Sequence, residues 1–120
     1  MKILIVDDSE LLRERLIEHL AKLPDAQAFI EAENILEANK LIGELNPDVI
    51  ITDIRMPGGS GIDLVKKIRA TDKSTLIIVL TNYPYVQYRD AALEAGANYF
   101  FDKTNEFEKV YSTLYKISNS

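Results

Sequence analysis

Five short apolar-rich runs recur along this chain, at 2–6, 27–32, 49–52, 75–80 and 97–101, the first β-branched and the second weaker than the rest, and each precedes a stretch with helical periodicity. A run that is apolar at successive positions cannot leave one face in water, so it reads as a strand covered on both sides. Such strands, alternating with helices, assemble into a parallel sheet with helices on both faces. The fold class is therefore α/β, a five-stranded doubly wound (βα)5 sheet. Right-handed crossovers favour the strand order 2-1-3-4-5.

The helical stretches carry their own punctuation. Residues 9–23 place Leu12, Leu16, Leu20 and Leu23 on one stripe. Asn34 with Glu37 three residues on is an N-cap signal for a helix through Leu45, with Leu36, Leu41 and Leu45 turned inward. Asn46-Pro47-Asp48 turns the chain, and a Pro/Gly-rich loop over 53–61 leads into a helix at about 62–70. A helix over 85–95 stops at Gly96, which suits a left-handed C-cap. Asn105 with Glu108 is read as capping the last helix, which reaches about Ile117, and Ser118-Asn119-Ser120 as a frayed end.

At 120 residues the expectation is one domain over 1–120, and 47% apolar content suffices for a core. The absence of cysteine excludes a disulfide framework, a thiol nucleophile and thiolate metal sites. A net charge of −5 argues against nucleic acid as a direct partner, since duplex binding needs clustered cations. No apolar run approaches the ~18 residues of a membrane span. Met1-Lys2 passes straight into a strand, unlike a signal peptide, so a cytoplasmic location without a membrane partner is expected.

In such a sheet, ligands bind beyond the carboxyl ends of the strands, at the switch point between strands one and three. The residues there are Asp7 and Asp8, Asp53, Thr81 and Lys103. Two carboxylates ~4 Å apart repel by about 4 kcal/mol at an effective dielectric of 20, so such a cluster needs a cation. Oxygen-only ligands select a hard ion, and Mg²⁺ is the best match. A hydroxyl and an ammonium beside it suit a phosphoryl group. Asp53, alone at the end of the central strand, is then the candidate nucleophile for an acyl phosphate.

Over essentially its whole length the chain resembles the receiver domain of bacterial response regulators, the CheY-like family with a flavodoxin-like fold. The residues that carry the resemblance are Asp7-Asp8, Asp53 followed by Met56-Pro57 and Gly61, Thr81, and Glu94-Ala95-Gly96-Ala97 leading to Lys103. The resemblance implies a two-component signalling protein whose Asp53 accepts phosphoryl from a phosphohistidine on a sensor histidine kinase or phosphotransfer protein. It implies Mg²⁺ held by Asp8, Asp53 and the backbone carbonyl of Arg55, with Asp7 acting through a metal-bound water. Thr81 and Lys103 would grip the phosphoryl oxygens, and Thr81 and Phe100 would form the switch. The output partner, or a second copy, would dock on the face of the fourth helix, fifth strand and last helix. All six tyrosines fall between Tyr83 and Tyr115, near that face. Such a protein catalyses its own phosphorylation and slow dephosphorylation and is not a conventional enzyme.

The chain departs from the family pattern at four places. Thr104 follows Lys103 where a cis proline is common, Phe100 lacks a hydroxyl, and Asn82 replaces a very small residue. Arg55 and Tyr83 bring bulk to positions flanking the route of attacking water. Alternatives are a small Mg²⁺-dependent aspartate phosphatase or a phosphorylation-independent pseudo-receiver. The phosphatase pattern separates its two acids by one residue, whereas Asp7 and Asp8 are adjacent. A flavodoxin-like flavin protein needs a Ser/Thr-rich loop after strand one, where Asp7-Asp8 would repel phosphate. Gly58-Gly59-Ser60-Gly61 lacks the Lys-Ser/Thr of a nucleotide loop and reads as a flexible loop. His19, with no acid or second histidine nearby in sequence, reads as a flank residue.

Overall fold

The structure is a computed structural model that describes residues 1–25 and 28–118. Its strands are β1 (Lys2–Val6), β2 (Ala28–Ala32), β3 (Val49–Thr52), β4 (Arg55–Met56), β5 (Gly59–Ser60), β6 (Leu76–Thr81) and β7 (Tyr99–Asp102). The helices are α1 (Glu10–Leu20), α2 (Ile35–Leu45), α3 (Gly61–Arg69), α4 (Val86–Ala95) and α5 (Phe107–Ser118). Gln27, expected to open the second strand, and Asn119 and Ser120 of the expected frayed end lie outside the described residues.

The main sheet has the order β2-β1-β3-β6-β7, with every pairing parallel. Leaving aside the small β4–β5 pair, that is the expected 2-1-3-4-5. Alternate strand residues feed two cores. Ile3, Ile5, Ile51, Ile78 and Leu80 pack with α1 and α5 through Leu16, Leu20, Val110 and Leu114. Leu4, Val6, Ile50, Ile77 and Val79 pack on the other face with Ala38, Leu64, Val65, Ile68 and Ala92 of α2, α3 and α4. Fully apolar strands thus meet helices on both sides.

Three local expectations need correction. In α2 the buried stripe centres on Ala38, with Ile35, Leu41 and Ile42 packed against the core. Leu36 is 81% exposed and Leu45 is also exposed; Ile35 and Ala38, three residues apart on one helix face, take the core side, and Leu36 lies off that face. Asn105 does not cap α5, which begins two residues later at Phe107; its amide donates to Asp102 Oδ2 at 3.0 Å. Asp102 organises that turn, accepting also from the Thr104 amide at 2.9 Å. The loop over 53–61 contains the two-residue antiparallel pair β4–β5, whose last residue, Ser60, caps α3 by accepting from the Ile62 amide with its hydroxyl. The other signals agree. Ser9 caps α1 at the Leu12 amide, and Leu23 is buried just beyond the helix. Gly96 adopts φ 118° at the C-cap of α4, a conformation that glycine tolerates without a Cβ penalty.

Candidate functional site

Sheet register builds the site. Val6 pairs with Thr52, so the next residues, Asp7 and Asp53, emerge side by side at the carboxyl edge. Their backbones are tied to the strands behind them, Asp7 N–H to the Ala32 carbonyl at 3.0 Å and Asp53 N–H to the Val6 carbonyl at 3.1 Å. On the far side of β3, Thr81 ends β6 fully buried, and its carbonyl accepts from the Lys103 amide at 2.9 Å. That bond sets the start of the Lys103 side chain.

The Lys103 ammonium bridges the two acids. Its Nζ lies 2.6 Å from Asp7 Oδ2 and 2.7 Å from Asp53 Oδ2, in a pocket where all three side chains are at least nine-tenths buried. Asp7 Oδ1 accepts from the Ser9 amide at 2.8 Å, and Asp53 Oδ1 from the Ile54 amide at 2.6 Å. Burial pushes the Asp7 carboxyl up, against the lowering pull of Lys103 and the Ser9 amide. Burial also acts against the Lys103 ammonium, but its bonds to Asp53 and Asp7 outweigh this and hold its pKa above the ordinary lysine value. Two carboxylates against one ammonium leave a residual negative charge, and the exposed Asp8 adjoins it.

Gly61 allows this edge to close. Its amide donates to the Ile54 carbonyl at 2.7 Å, and a Cβ there would stand 1.8 Å from the Asp53 carbonyl oxygen. No side chain fits beside Asp53 at this position.

The donor chemistry suits a hard cation. Lys103 Nζ already marks a position that carboxylate oxygens of both Asp7 and Asp53 reach, and oxygen is the only donor atom the acids supply. Among the described residues no three His, Cys, Asp or Glu side chains are gathered as a metal-holding group. Mg²⁺ does not require one, since it commonly takes one or two carboxylates and keeps several waters.

The structure thus brings Asp7, Asp53 and Lys103 into contact. Thr81 lies behind them with its hydroxyl accepting from the Tyr83 amide at 3.1 Å. Asp8 and the Arg55 side chain are exposed. Phe100 is already turned inward, 8% exposed, in the core cluster with Val79 and Ala92, against which Tyr88 also packs. The peptide bond after Lys103 is trans. His19 meets the edge of the Phe107 ring at 5.2 Å, a packing role.

Two features carry no strong sequence signal. Arg13, buried in α1, donates from Nη1 to the Asp7 carbonyl at 2.6 Å and from Nε to Glu31 at 2.9 Å. Arg55 reaches from β4 to α4, its guanidinium 4.3 Å from the Tyr83 ring centre and Nη2 2.7 Å from the Tyr88 hydroxyl. The tyrosine cluster therefore divides. Tyr83 and Tyr88 are engaged by Arg55, while Tyr85, Tyr99 and Tyr115 remain exposed.

A family model described as "Response regulator receiver domain" matches residues 3–115. The chain is 34% identical over 116 residues to the chemotaxis protein CheY of Listeria monocytogenes, covering 97% of each. It is 37% identical over 113 residues to the transcriptional regulatory protein YhcZ of Bacillus subtilis, covering 94% of this chain and 53% of that one, so it spans about half of that relative. A solved response regulator from Burkholderia pseudomallei, bearing a phosphorylated aspartic acid and a calcium ion, superposes with a TM-score of 0.80 at 26% identity, over 91% of this chain and 63% of that one.

Proposed function

The chain belongs to the response regulator receiver family, and from that premise we propose that it is a phosphorylation switch of a two-component system with Asp53 as the acceptor. The observation that carries this reading is the 2.7 Å contact of Lys103 Nζ with Asp53 Oδ2, deep in an acidic pocket at the carboxyl edge of the sheet. An Asp53 carboxylate oxygen attacks the phosphorus of a phosphohistidine on a sensor kinase or phosphotransfer protein. The P–O bond forms as the N–P bond breaks, and the imidazole nitrogen leaves with the electron pair. The phosphorylated aspartic acid of the Burkholderia relative supports the same chemistry here.

Asp7, Asp8, Asp53 and the Arg55 carbonyl would hold Mg²⁺, which supplies positive charge for the phosphoryl oxygens. Lys103 keeps a charge-assisted donor in place, and the Thr81 hydroxyl, which among the described residues accepts from the Tyr83 amide and donates to none, keeps its proton for the phosphoryl group. Phosphorylation adds about −1.5 to −2 charge, drawing both groups toward it. Phe100, already buried, then responds by repacking against Tyr88 and α4. The face of α4, β7 and α5, with Tyr85, Tyr99 and Tyr115 exposed, is the proposed surface for an output partner or a second copy. The protein acts on itself in this scheme and turns over no separate substrate. A cytoplasmic location fits a kinase-fed switch, and no helix among the described residues is long and apolar enough to cross a membrane.

Incubation with Mg²⁺ and acetyl phosphate or phosphoramidate tests the reading. Intact-mass spectrometry should show one added phosphoryl group, labile to base and absent from Asp53→Ala. Absence of the adduct from wild type would leave a phosphorylation-independent interaction module. Steady release of phosphate from small phosphomonoesters would indicate a phosphatase instead.

A further inference from the structure

Arg13 is a buried cation next to a site that is itself built to hold a cation. A divalent cation in that site would repel it. Its contacts account for its place. β1 ends its ladder at Val6, paired with Ala32 on one side and Thr52 on the other. One residue further the Asp7 N–H still reaches β2, at the Ala32 carbonyl, but the Asp7 carbonyl has passed the end of the ladder. Arg13 Nη1 takes that carbonyl at 2.6 Å, in place of a strand partner. Glu31, on β2, neutralises the guanidinium through Nε at 2.9 Å.

The two residues that follow are fixed from the same helix. Ser9 caps α1 at the Leu12 amide, its own amide donates to Asp7 Oδ1, and its carbonyl accepts from the Arg13 amide at 3.1 Å. Asp8 is thereby held between two anchored neighbours. The Asp7 carbonyl and the Asp8 amide share one rigid peptide plane, so gripping the carbonyl also sets the direction in which Asp8 leaves it.

We propose that Arg13 is a positioning residue for the cation site: its grip on the Asp7 carbonyl, braced by Glu31, orients the Asp7-Asp8 pair and thereby sets the affinity for Mg²⁺. The inference rests on the acidic-pocket reading given above. Partners that orient metal ligands from outside the coordination shell typically govern affinity by about 10–100-fold.

Isothermal titration of Mg²⁺ into wild type, Arg13→Met, Arg13→Lys and Glu31→Gln separates positioning from charge, with folding checked by tyrosine near-ultraviolet circular dichroism. Positioning predicts Mg²⁺ binding about tenfold or more weaker in Arg13→Met, despite the loss of a repelling charge. Arg13→Lys, which keeps the charge but not the planar fork, should fall between that variant and wild type. Glu31→Gln, which keeps an acceptor for Nε, should stay within about threefold of wild type. In metal-free amide spectra, the Asp8 and Ser9 signals should move in Arg13→Met while those of α5 stay in place. Wild-type affinity in folded Arg13→Met, or tighter binding, overturns the inference; if that variant does not fold, unchanged affinity in Arg13→Lys overturns it and weakened affinity supports it. Wild type that binds no Mg²⁺ overturns the acidic-pocket reading, and this inference with it.

Discussion

Asp53 and Asp72 occupy opposite ends of the same sheet and solve the problem of a carboxylate in opposite ways. Asp72, in the loop entering β6, accepts from the Ser74 amide at 2.8 Å, the Thr75 amide at 3.1 Å, and the hydroxyls of Ser74 and Thr75. All its donors lie within three residues, and those bonds, the Thr75 hydroxyl foremost, hold its pKa far below the usual carboxylate range. Asp53 and Asp7 are buried, and their charged partner, Lys103, lies 50 residues from Asp53. A local cap is complete within its own loop. The carboxyl edge instead gathers like charges that only distant elements can offset, and such an arrangement remains open to a further cation and to reaction.

Breaking the distant partner should have the largest effect. Arg13 aside, Lys103 is the cation that binds this pocket together, and Lys103→Met leaves two buried carboxylates facing one another. A loss of about 3 kcal/mol in urea unfolding without metal is expected, with Mg²⁺ restoring more stability to the variant than it adds to wild type. Gly61→Ala should follow, because its Cβ would collide with the Asp53 carbonyl. We expect a loss of about 2–3 kcal/mol together with slowed phosphorylation by acetyl phosphate.

At the other edge, Asp72→Ala should cost about 1 kcal/mol and leave phosphorylation unchanged. Its pH dependence has a definite sign. A carboxyl depressed on folding contributes fully above the ordinary value of about 4, and that contribution fades as pH falls toward the folded pKa. The stability gap between wild type and Asp72→Ala should therefore narrow in urea titrations below about pH 4. The smallest effect should come from Arg55→Ala and Tyr83→Ala. These should shorten the phosphoprotein lifetime a few-fold, with little change in stability. Unchanged decay in both would remove the shielding role of the Arg55–Tyr83 stack.

The main features of the fold were legible because both cores rest on periodicity. The stretches 3–6 and 49–51 within β1 and β3 are apolar throughout, and the helices carry stripes and caps. What escaped is set by geometry rather than composition. The β4–β5 pair has two residues per strand, too few for any alternation to register. β6 and β7 run on to the polar Thr81 and Asp102 because ladder bonds, not hydrophobicity, set their ends. Leucine spacing alone does not tell which of the adjacent Ile35 and Leu36 faces the core.

The candidate site was legible for a related reason. Asp7, Asp53, Thr81 and Lys103 end their strands or follow them directly, and strand ends converge once the sheet order is known. Arg13 carried no such mark. An arginine in an amphipathic helix reads as solvated, and its burial follows from the Asp7 carbonyl and Glu31, which only the folded chain brings to it.

The most direct test of the account is to phosphorylate the protein with acetyl phosphate and Mg²⁺, reduce it with borohydride, and sequence its peptides by tandem mass spectrometry. Borohydride converts an aspartyl phosphate to homoserine and leaves free carboxylates unchanged. The account predicts homoserine at position 53 alone. Homoserine at position 7 or 8, or an unmodified Asp53 in protein that has gained a phosphoryl group, would contradict it.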